Sequence, residues 1–351
     1  MDTRIIFSND IIDNLNLLIA EIKPSKIFVL TDNFSRQHTL KYFSDNLIFQ
    51  SAIHITIESG ENHKDINSLS EIWQALIDNK ADRHAVLINI GGGVISDIGG
   101  FAAATYKRGI KYINVPTTIL SAVDASIGGK TAINHQNIKN AIGAIHPPFA
   151  TIISTRFFKT LSHDDILSGL GEMLKHALIK DLKSTSDILN SDIDSIYRDE
   201  FMDILRDSVM VKEAIVAEDP YENGIRKALN FGHTFGHAFE SLSLSKNHII
   251  PHGVAVAYGI VAELVLSHLV LQFPSQVLHQ ISSYVKDNFG SLPITCNDYD
   301  LLIDFMRQDK KNADSEINFT LMKSVGTPII DCHSSVEQIK TALDIFRDLN
   351  Q

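Results

Sequence analysis

The sequence predicts an α/β domain with a mostly parallel, Rossmann-like sheet, followed by an all-α domain. Over roughly the first 155 residues, short apolar runs alternate with helical patterns, whereas beyond Thr160 apolar residues recur mainly at helical spacing. The length of 351 residues also exceeds the size at which single hydrophobic cores stop growing, about 250–300 residues. We therefore expect two domains, residues 1–160 and residues 161–351.

Five short runs in the first domain have the composition of buried strands. Helical patterns such as residues 66–77 fall between them, which is typical of βα units and of a parallel sheet. We expect this domain to be of the size that binds a nucleotide. The predicted strands are KIFVLT (26–31), AIHITI (52–57), AVLINI (85–90), KYINVP (111–116) and FATIIS (149–154).

The second domain is predicted to be helical, with one small hairpin at residues 317–330 around VGTP. No stretch rich in proline or serine separates the two domains, so we expect them to adjoin and to form a cleft. The predicted helices include DDILSGLGEMLKHALI (164–179), DILRDSVMVKEAIVAE (203–218), GVAVAYGIVAELVLSHLVL (253–271) and SVEQIKTALDIFRDL (335–349).

Composition limits the possible ligands. A formal charge of −11 argues against general binding to nucleic acid or to anionic membranes, so an anionic ligand needs a local cluster of Lys and Arg. No apolar run approaches the roughly 18 residues that span a bilayer, and the first residues do not resemble an export signal. The two cysteines, Cys296 and Cys332, are expected to be buried or idle free thiols. We expect a cytoplasmic protein.

A glycine run follows the strand AVLINI, where Gly91, Gly92 and Gly93 precede a predicted helix. Such a turn lets the backbone approach a pyrophosphate, while the helix N-terminus offers free N–H groups. The spacing is not GxGxxG, and a tight strand-to-helix turn is the alternative interpretation.

The stretch SIGGKT (126–131) is not a phosphate-binding P-loop. The Walker pattern requires a glycine five positions before Gly129, and Asp124 stands there. Asp124 and Lys130 flank a glycine pair, so they are either site residues or an ordinary loop aspartate and a solvated lysine.

In GLGEMLKHALI, one helical face can present Glu172, Lys175 and His176. A surface ion pair is the simpler interpretation of Glu172 and Lys175. However, the surrounding helix is apolar on most sides, and a buried carboxylate and ammonium need partners, which favours a functional site.

The stretch NFGHTFGHAFE (230–240) places His233 and His237 one helical turn apart, each preceded by a glycine. Two histidines at this spacing can bind one zinc ion, but the HExxH pattern is absent because glutamate does not follow His233. His252 begins another predicted helix. Glu172, one of His233 and His237, and His252 would together form the three-ligand N/O set of catalytic zinc sites.

Further polar residues follow in the second domain. We expect Lys212, Arg226, Asn230 and Lys310 to collect around the same region of the predicted cleft. The run QDKKN (308–312), taken alone, has the composition of a solvated loop.

Taken together, these motifs resemble the 3-dehydroquinate synthase family of sugar-phosphate cyclases. The resemblance extends over essentially the whole chain, in order and with spacing intact. It is carried by GENHK, GGGVISDIGGFAAATYKRG, VPTTILSAVDASIGGKTAIN, KNAIGA, GLGEMLKHALI, VKEAIVAEDPYENGIRKALNFGHTFGHAFE, HGVAVAYG and DKKN.

The resemblance implies an NAD-binding first domain, a second domain that binds a divalent metal (Zn²⁺, with Co²⁺ as an alternative), and a homodimer. The metal ligands would be Glu172, His233 and His252, which leaves His237 to contact the substrate. The NAD site would comprise Asp32, Glu61, Lys64, Gly92, Gly93, Val94, Asp97, Thr117, Thr118, Lys130, Lys139, Phe157, Thr160 and Leu161. The substrate site would comprise Asp124, Lys130, Asn140, Lys175, Lys212, Arg226, Asn230, His237 and Lys310, with Arg108 of the partner subunit.

The implied activity is the shikimate-pathway conversion of 3-deoxy-D-arabino-heptulosonate 7-phosphate to 3-dehydroquinate and phosphate, with NAD recycled. The alternatives are related cyclases of sugar phosphates without a carboxylate, a metal-dependent polyol dehydrogenase that accumulates NADH, and an inactive binding protein. Some positions depart from the commoner family pattern and leave cofactor-edge details open: Ala132, Ser154, Arg156, Asp165 and Val254.

Overall fold

The computed structural model describes residues 3–136, 138–308 and 317–350. Within it the chain forms two compact units. The first unit is Met1–Leu161 with Ile193–Val209, and the second is Ser162–Asp192 with Met210–Gln351. Because the stretch 193–209 groups with the first unit, the units are not two consecutive parts of the chain. The functional division at residue 160 stays a prediction.

The described residues contain ten strands and thirteen α-helices, joined by short helical segments and loops. The strands are β1 Arg4–Phe7, β2 Ile27–Asp32, β3 Ile53–Ile57, β4 Val86–Gly91, β5 Lys111–Pro116, β6 Lys130–His135, β7 Ile138–Ile145, β8 Ala150–Ile153, β9 Asn318–Ser324 and β10 Thr327–His333. The helices are α1 Ile11–Ile22, α2 Asn33–Thr39, α3 Leu47–Ser51, α4 Ile66–Asp78, α5 Gly93–Thr105, α6 His163–Lys180, α7 Leu182–Leu189, α8 Phe201–Glu218, α9 His233–Ser245, α10 His252–Leu271, α11 Ser275–Phe289, α12 Tyr299–Arg307 and α13 Val336–Asn350.

The first unit is built on a six-stranded sheet in the order β1-β8-β5-β4-β2-β3, and every neighbouring pair is parallel. This confirms the predicted α/β fold with a parallel sheet, and β2, β3, β4, β5 and β8 are the five predicted strands. From β2 the chain continues to β3 on one side, and from β4 it continues to β5 on the other. The strand order therefore reverses between β2 and β4, where open α/β sheets bind ligands at the carboxyl ends.

A β-hairpin of β6 and β7 lies against α5, and the sequence patterns did not predict it as strands. The contact is close because Gly100 lacks a side chain, and a Cβ there would lie 2.5 Å from Thr131 Cγ2. The opposite strand, β7, is largely exposed. The hairpin therefore holds its polar residues beside the helix that follows the glycine run.

The second unit is mainly helical around α10, which is buried along most of its length. By length and composition α10 could cross a membrane, so the expectation that no apolar run is long enough was wrong. However, 78% of its apolar 18-residue stretch is buried inside the protein, as in the core helix of a globular domain. Composition alone cannot separate the two cases, because a helix packed on all sides by protein needs no polar face and is then as apolar as a membrane span. The predicted hairpin is present as β9 and β10.

Glycines bring α6, α9 and α10 into close contact. A Cβ at Gly259 would lie 1.9 Å from the carbonyl oxygen of Gly232, and one at Gly171 would lie 1.9 Å from that of Gly253. A side chain at either position would collide with backbone, so these helices cross at the distance that only glycine permits. These three helices carry the histidines and Glu172 of the predicted metal site.

Both cysteines are free thiols in the structure. Cys296 is exposed, and the Arg347 guanidinium donates a hydrogen bond of 2.8 Å to its sulfur. Of the expectation that each thiol is buried or idle, burial does not apply to Cys296, and an idle thiol stays a prediction for it. Cys332 is half-buried, and burial raises the pKa of its thiol.

Candidate active site

Helix α6 carries a buried ion pair. Glu172 and Lys175 lie three residues apart, both are almost fully buried, and the Lys175 ammonium donates to Glu172 Oε2. An ionised pair is costly to bury unless its remaining hydrogen-bonding capacity is satisfied. The surface ion-pair interpretation of this motif is therefore wrong.

The other oxygen of this carboxylate faces two imidazoles. Glu172 Oε1 lies 3.5 Å from His233 Nε2 and 3.6 Å from His252 Nε2. This oxygen is buried and has no hydrogen-bond partner in the part of the chain that the structure describes. Ligand atoms about 2.0–2.2 Å from a tetrahedral metal ion lie roughly 3.3 Å apart, which is close to the two observed separations.

The ring hydrogen bonds of the two histidines fit metal binding as well. His233 Nδ1 lies 3.2 Å from the carbonyl oxygen of Phe231, and His252 Nδ1 lies 3.3 Å from Glu240 Oε2. Both oxygens accept, so Nδ1–H is the donor in each contact, and in the neutral ring the Nε2 lone pair is left to face Glu172. A carboxylate oxygen that lies close to two imidazole nitrogens is a donor set that fits a divalent cation.

His237 belongs to the same cluster. The ligand atoms of His233, His237 and His252 all lie within 4.8 Å of one another, so these imidazoles could also hold a metal. The rings of His233 and His237, one helical turn apart on α9, pack edge to face with 5.3 Å between centroids. Two ligand sets are thus open, the three imidazoles or Glu172 with two of them.

The start of α9 is fixed from α10. Gly232, the residue before the helix, has φ of +81° and offers no capping side chain. The buried carboxylate of Glu263 takes that role, and it accepts from the backbone N–H groups of Gly232, Thr234 and Phe235 at 2.6, 3.0 and 3.4 Å. A negative charge at a helix N-terminus is stabilising, and here it also sets the position of His233.

The other predicted substrate residues of the second unit lie just before α9 or on α8. Lys212 and Arg226 are buried, and the Arg226 guanidinium donates to the carbonyl oxygen of Pro220 at 2.6 Å. The Asn230 amide donates to Glu222 Oε1 at 2.8 Å. A cavity of about 280 Å³ lies beside Asn230, and Thr234, Asn318 and Asp331 also line it. Lys310 lies outside the described residues.

In the first unit, several of the residues predicted to bind NAD lie at the carboxyl ends of the central strands. Asp32 ends β2 and accepts from the N–H of Ser35 at 2.7 Å, which caps α2. Gly92 and Gly93 join β4 to α5, and Gly92 caps this helix with its backbone alone. Thr117 and Thr118 follow β5, and Val94 lies in the first turn of α5.

Beside this edge lies a polar cluster with a buried lysine. The Lys64 ammonium donates to Asp97 Oδ2 at 2.5 Å and to Asn140 Oδ1 at 2.6 Å, while Glu61 Oε1 lies 4.0 Å away. Burial raises the pKa of Asp97 to about 6, and the opposing charge of Lys64 limits that rise. The hairpin residue Asn134 supports the cluster, since its amide donates to Glu61 Oε1 and its carbonyl accepts from the Asn140 N–H.

The remaining predicted residues of the first unit are distributed more widely. Lys130, Lys139 and Asn140 lie on the hairpin with exposed side chains, and Arg108 is exposed after α5. Asp124 lies in the short helical turn Ser121–Ala125. Phe157 is buried against Tyr42 and Phe43, so its side chain belongs to the core of the unit. Thr160 and Leu161 lie at the end of this unit and are half-buried.

Two departures from the family pattern have local roles. Ser154 accepts from the Arg156 N–H and so caps the short helical segment Thr155–Thr160. Asp165 forms a capping box with Ser162 at the start of α6. Both residues stabilise helix ends, and they are compatible with the observed fold.

Family models match both parts of the chain. The 3-dehydroquinate synthase N-terminal model matches residues 54–168, and the C-terminal model matches residues 169–312, together more than half of the chain. A 3-dehydroquinate synthase of Parabacteroides distasonis is 44% identical over 347 residues, which cover 99% of this chain and 98% of the relative. The chain belongs to the 3-dehydroquinate synthase family.

Solved structures of two other synthases share the fold. A 2-deoxy-scyllo-inosose synthase, solved with carbaglucose-6-phosphate, NAD⁺ and Co²⁺, gives a TM-score of 0.84 at 22% identity, covering 98% of this chain and 96% of that one. A 2-epi-5-epi-valiolone synthase from Streptomyces hygroscopicus, solved with NAD⁺ and Zn²⁺, gives 0.82 at 24% identity, covering 99% and 97%. At these identities the likeness establishes the fold of this family member.

Three residues that support the candidate site escaped the sequence patterns. Glu240 and Glu263 lie inside apolar helical stretches, and Asn134 lies in a strand that no pattern predicted. A carboxylate within an apolar helix does signal a buried partner, as it did for Glu172. The partners themselves, His252 and the start of α9, are set by tertiary contacts.

Proposed function

We propose that this family member is the enzyme 3-dehydroquinate synthase, a carbon–oxygen lyase. It converts 3-deoxy-D-arabino-heptulosonate 7-phosphate to 3-dehydroquinate and inorganic phosphate. The observation that carries the proposal is the buried Oε1 of Glu172, which has no hydrogen-bond partner among the described residues and lies 3.5 and 3.6 Å from two imidazole nitrogens. Family membership supplies the substrate, and this carboxylate supports the metal chemistry that the reaction requires.

Glu172, His233 and His252 would hold a divalent metal ion, Zn²⁺ with Co²⁺ as an alternative. This set is favoured over three imidazoles because the Glu172 contacts are close to the separation of ligands in one tetrahedral site. In the alternative set, the ligand atoms of His233, His237 and His252 lie within 4.8 Å of one another. A bound metal would lower the pKa of a coordinated substrate hydroxyl and so ease hydride loss from the carbon that bears it. His237 is then available to the substrate.

The NAD site is proposed at the carboxyl edge of the sheet. The N-terminus of α5, with Gly92 and Gly93 before it, presents backbone N–H groups to a pyrophosphate, and Asp32 lies at the end of the next strand in the sheet. NAD⁺ bound there would accept the hydride and later return it, so the net reaction consumes no cofactor. The full proposed set is Asp32, Glu61, Lys64, Gly92, Gly93, Val94, Asp97, Thr117, Thr118, Lys130, Lys139, Phe157, Thr160 and Leu161.

A substrate with a phosphate and a carboxylate requires cationic side chains, and the acidic chain supplies them locally. Lys175 is held beside the metal-binding carboxylate by its ion pair with Glu172. Lys212 and Arg226 are buried cations of the same unit. The proposed set further includes Asp124, Lys130, Asn140, Asn230, His237, Lys310 and, in a homodimer, Arg108 of the partner subunit.

One assay separates this function from its rivals. The purified protein is supplied with NAD⁺, Zn²⁺ and the heptulosonate phosphate, and phosphate release and the absorbance of NADH are followed together. We expect phosphate release without net NADH. Stoichiometric NADH would indicate a polyol dehydrogenase instead, and neither product would indicate a binding protein. Sedoheptulose 7-phosphate and glucose 6-phosphate, which lack the carboxylate, serve as control substrates.

The metal assignment has its own test. We expect His252→Ala to abolish turnover and metal retention together, because it removes one of the two imidazoles that face Glu172. The matched control is His54→Ala, a histidine on β3 in the first unit. If the His252→Ala enzyme is fully active and retains its metal, His252 is not a metal ligand.

A further inference from the structure

Glu240 contacts the histidine cluster through the Nδ1 side of the His252 ring, the side away from the nitrogen that faces Glu172. It lies on α9, two turns after His233, and its Oε2 accepts from His252 Nδ1 at 3.3 Å. The contact joins α9 to the first residue of α10. None of the roles implied by family resemblance uses this carboxylate.

We propose that Glu240 is a positioning residue that fixes the ring of His252 for metal binding. The inference rests on the proposed function, since it takes His252 as a ligand. Metal-bound histidines commonly donate their second ring N–H to a carboxylate, which fixes the ring orientation and increases the basicity of the ligating nitrogen. The arrangement of Glu240, His252 and Glu172 follows this pattern.

The position of His252 explains why it needs such support. It begins α10, with Pro251 before it, and its side chain is 33% exposed, whereas that of His233 is 13% exposed. The Nδ1 of His233 is also held by a backbone carbonyl, which moves only with the chain. A ring at a helix start with a third of its surface exposed has more rotational freedom. The Glu240 contact restricts that freedom and directs Nε2 toward Glu172 Oε1.

The contact also selects the tautomer. A carboxylate only accepts, so the proton is placed on His252 Nδ1 and the lone pair on Nε2. Without Glu240, the neutral ring can carry its proton on Nε2, and that form does not bind a metal through the nitrogen that faces Glu172. Loss of Glu240 should therefore weaken metal binding without removing a ligand.

The test is a Co²⁺ titration of the metal-free enzyme, followed by the visible absorption of the bound ion. We expect Glu240→Ala to weaken Co²⁺ binding by about 10–100-fold and to change the ligand-field bands. Glu240→Gln keeps an acceptor but loses the charge, so we expect a smaller loss of about two- to tenfold. Glu71→Ala, which removes a carboxylate from an exposed position on α4, should match the unaltered protein.

Unfolding midpoints of the metal-free variants separate positioning from folding, because a positioning role predicts unchanged midpoints. Wild-type affinity and bands in Glu240→Ala would overturn the inference. If that variant does not fold, Glu240→Gln decides the question, and wild-type affinity there would overturn it equally. A wild-type protein without Co²⁺ affinity, or a His252→Ala variant with full affinity, would overturn the proposed metal site instead.

Discussion

The carboxylate of Glu263 on α10 accepts a hydrogen bond of 2.6 Å from the backbone N–H of Gly232, the residue that precedes α9. This bond ties the start of the helix that bears His233 to the helix that bears His252. Burying a carboxylate costs free energy unless it is well hydrogen-bonded. Glu263 is fully buried, and it also accepts hydrogen bonds from the backbone N–H groups of Thr234 and Phe235. The relative position of the two histidines thus depends on a carboxylate that holds the backbone at the start of α9.

Glu263→Ala should lower the free energy of unfolding by roughly 2–4 kcal/mol, because it leaves buried N–H donors unsatisfied. Glu263→Gln should cost less, since its carbonyl oxygen can still accept. Urea denaturation of the metal-free protein measures both changes. A change below about 0.5 kcal/mol in the alanine variant would contradict the role of Glu263 as a cap.

The close crossing of α9 and α10 predicts a second effect. A Cβ at Gly259 would lie 1.9 Å from the carbonyl oxygen of Gly232, so Gly259→Ala must push the helices apart. We expect a loss of stability of at least about 2 kcal/mol and weaker Co²⁺ binding. Val270→Ala, at a partly exposed position on the same helix, should change stability by no more than about 1 kcal/mol. Normal stability and affinity in Gly259→Ala would show that the crossing is looser than described.

Asp97 predicts a pH dependence of stability. Burial raises the pKa of its carboxyl from 3.8 to about 6, so the folded state binds more protons than the unfolded state between these values. The stability from this group is therefore present below pH 3.8 and is lost as the pH rises through about 6. Since asparagine does not titrate, the unfolding free energy of Asp97→Asn relative to wild type should increase by up to about 3 kcal/mol from pH 4 to pH 7.

Parallel urea titrations of wild type and Asp97→Asn across this pH range measure that difference. Lys64→Met should raise the pKa of Asp97 further, because the Lys64 charge favours the ionised form. A flat difference between pH 4 and pH 7 would show that the pKa of Asp97 is not raised.

Most of the sheet could be predicted from the sequence because buried parallel strands are continuous apolar runs. The hairpin of β6 and β7 could not, because β6 begins at the end of the glycine-containing stretch SIGGKT and β7 contains KNAIGA, which has a glycine and polar side chains. Its outer strand is exposed, so hydrophobic patterning gives no signal there. Helix α10 was misjudged for a different reason: it is buried along most of its length, so it lacks the polar face that most helices of globular proteins have.

Residue spacing predicted a metal site of Glu172, His252 and one of His233 and His237, and left the choice between the last two open. Spacing within α9 pairs His233 with His237, whereas the contacts of Glu172 Oε1 are with His233 and His252, which come from two different helices. Local spacing cannot supply that pairing, because it arises where α6, α9 and α10 cross at glycines. The family resemblance names Glu172, His233 and His252 as the ligands, and this assignment stays a prediction.

Anomalous X-ray diffraction at the zinc edge, from crystals grown with Zn²⁺, would locate a bound metal ion and identify its ligands. We expect one strong peak about 2.0–2.2 Å from Glu172 Oε1, His233 Nε2 and His252 Nε2, with His237 outside bonding distance. A peak bound by His237 in place of Glu172, or no peak at this cluster, would contradict this expectation.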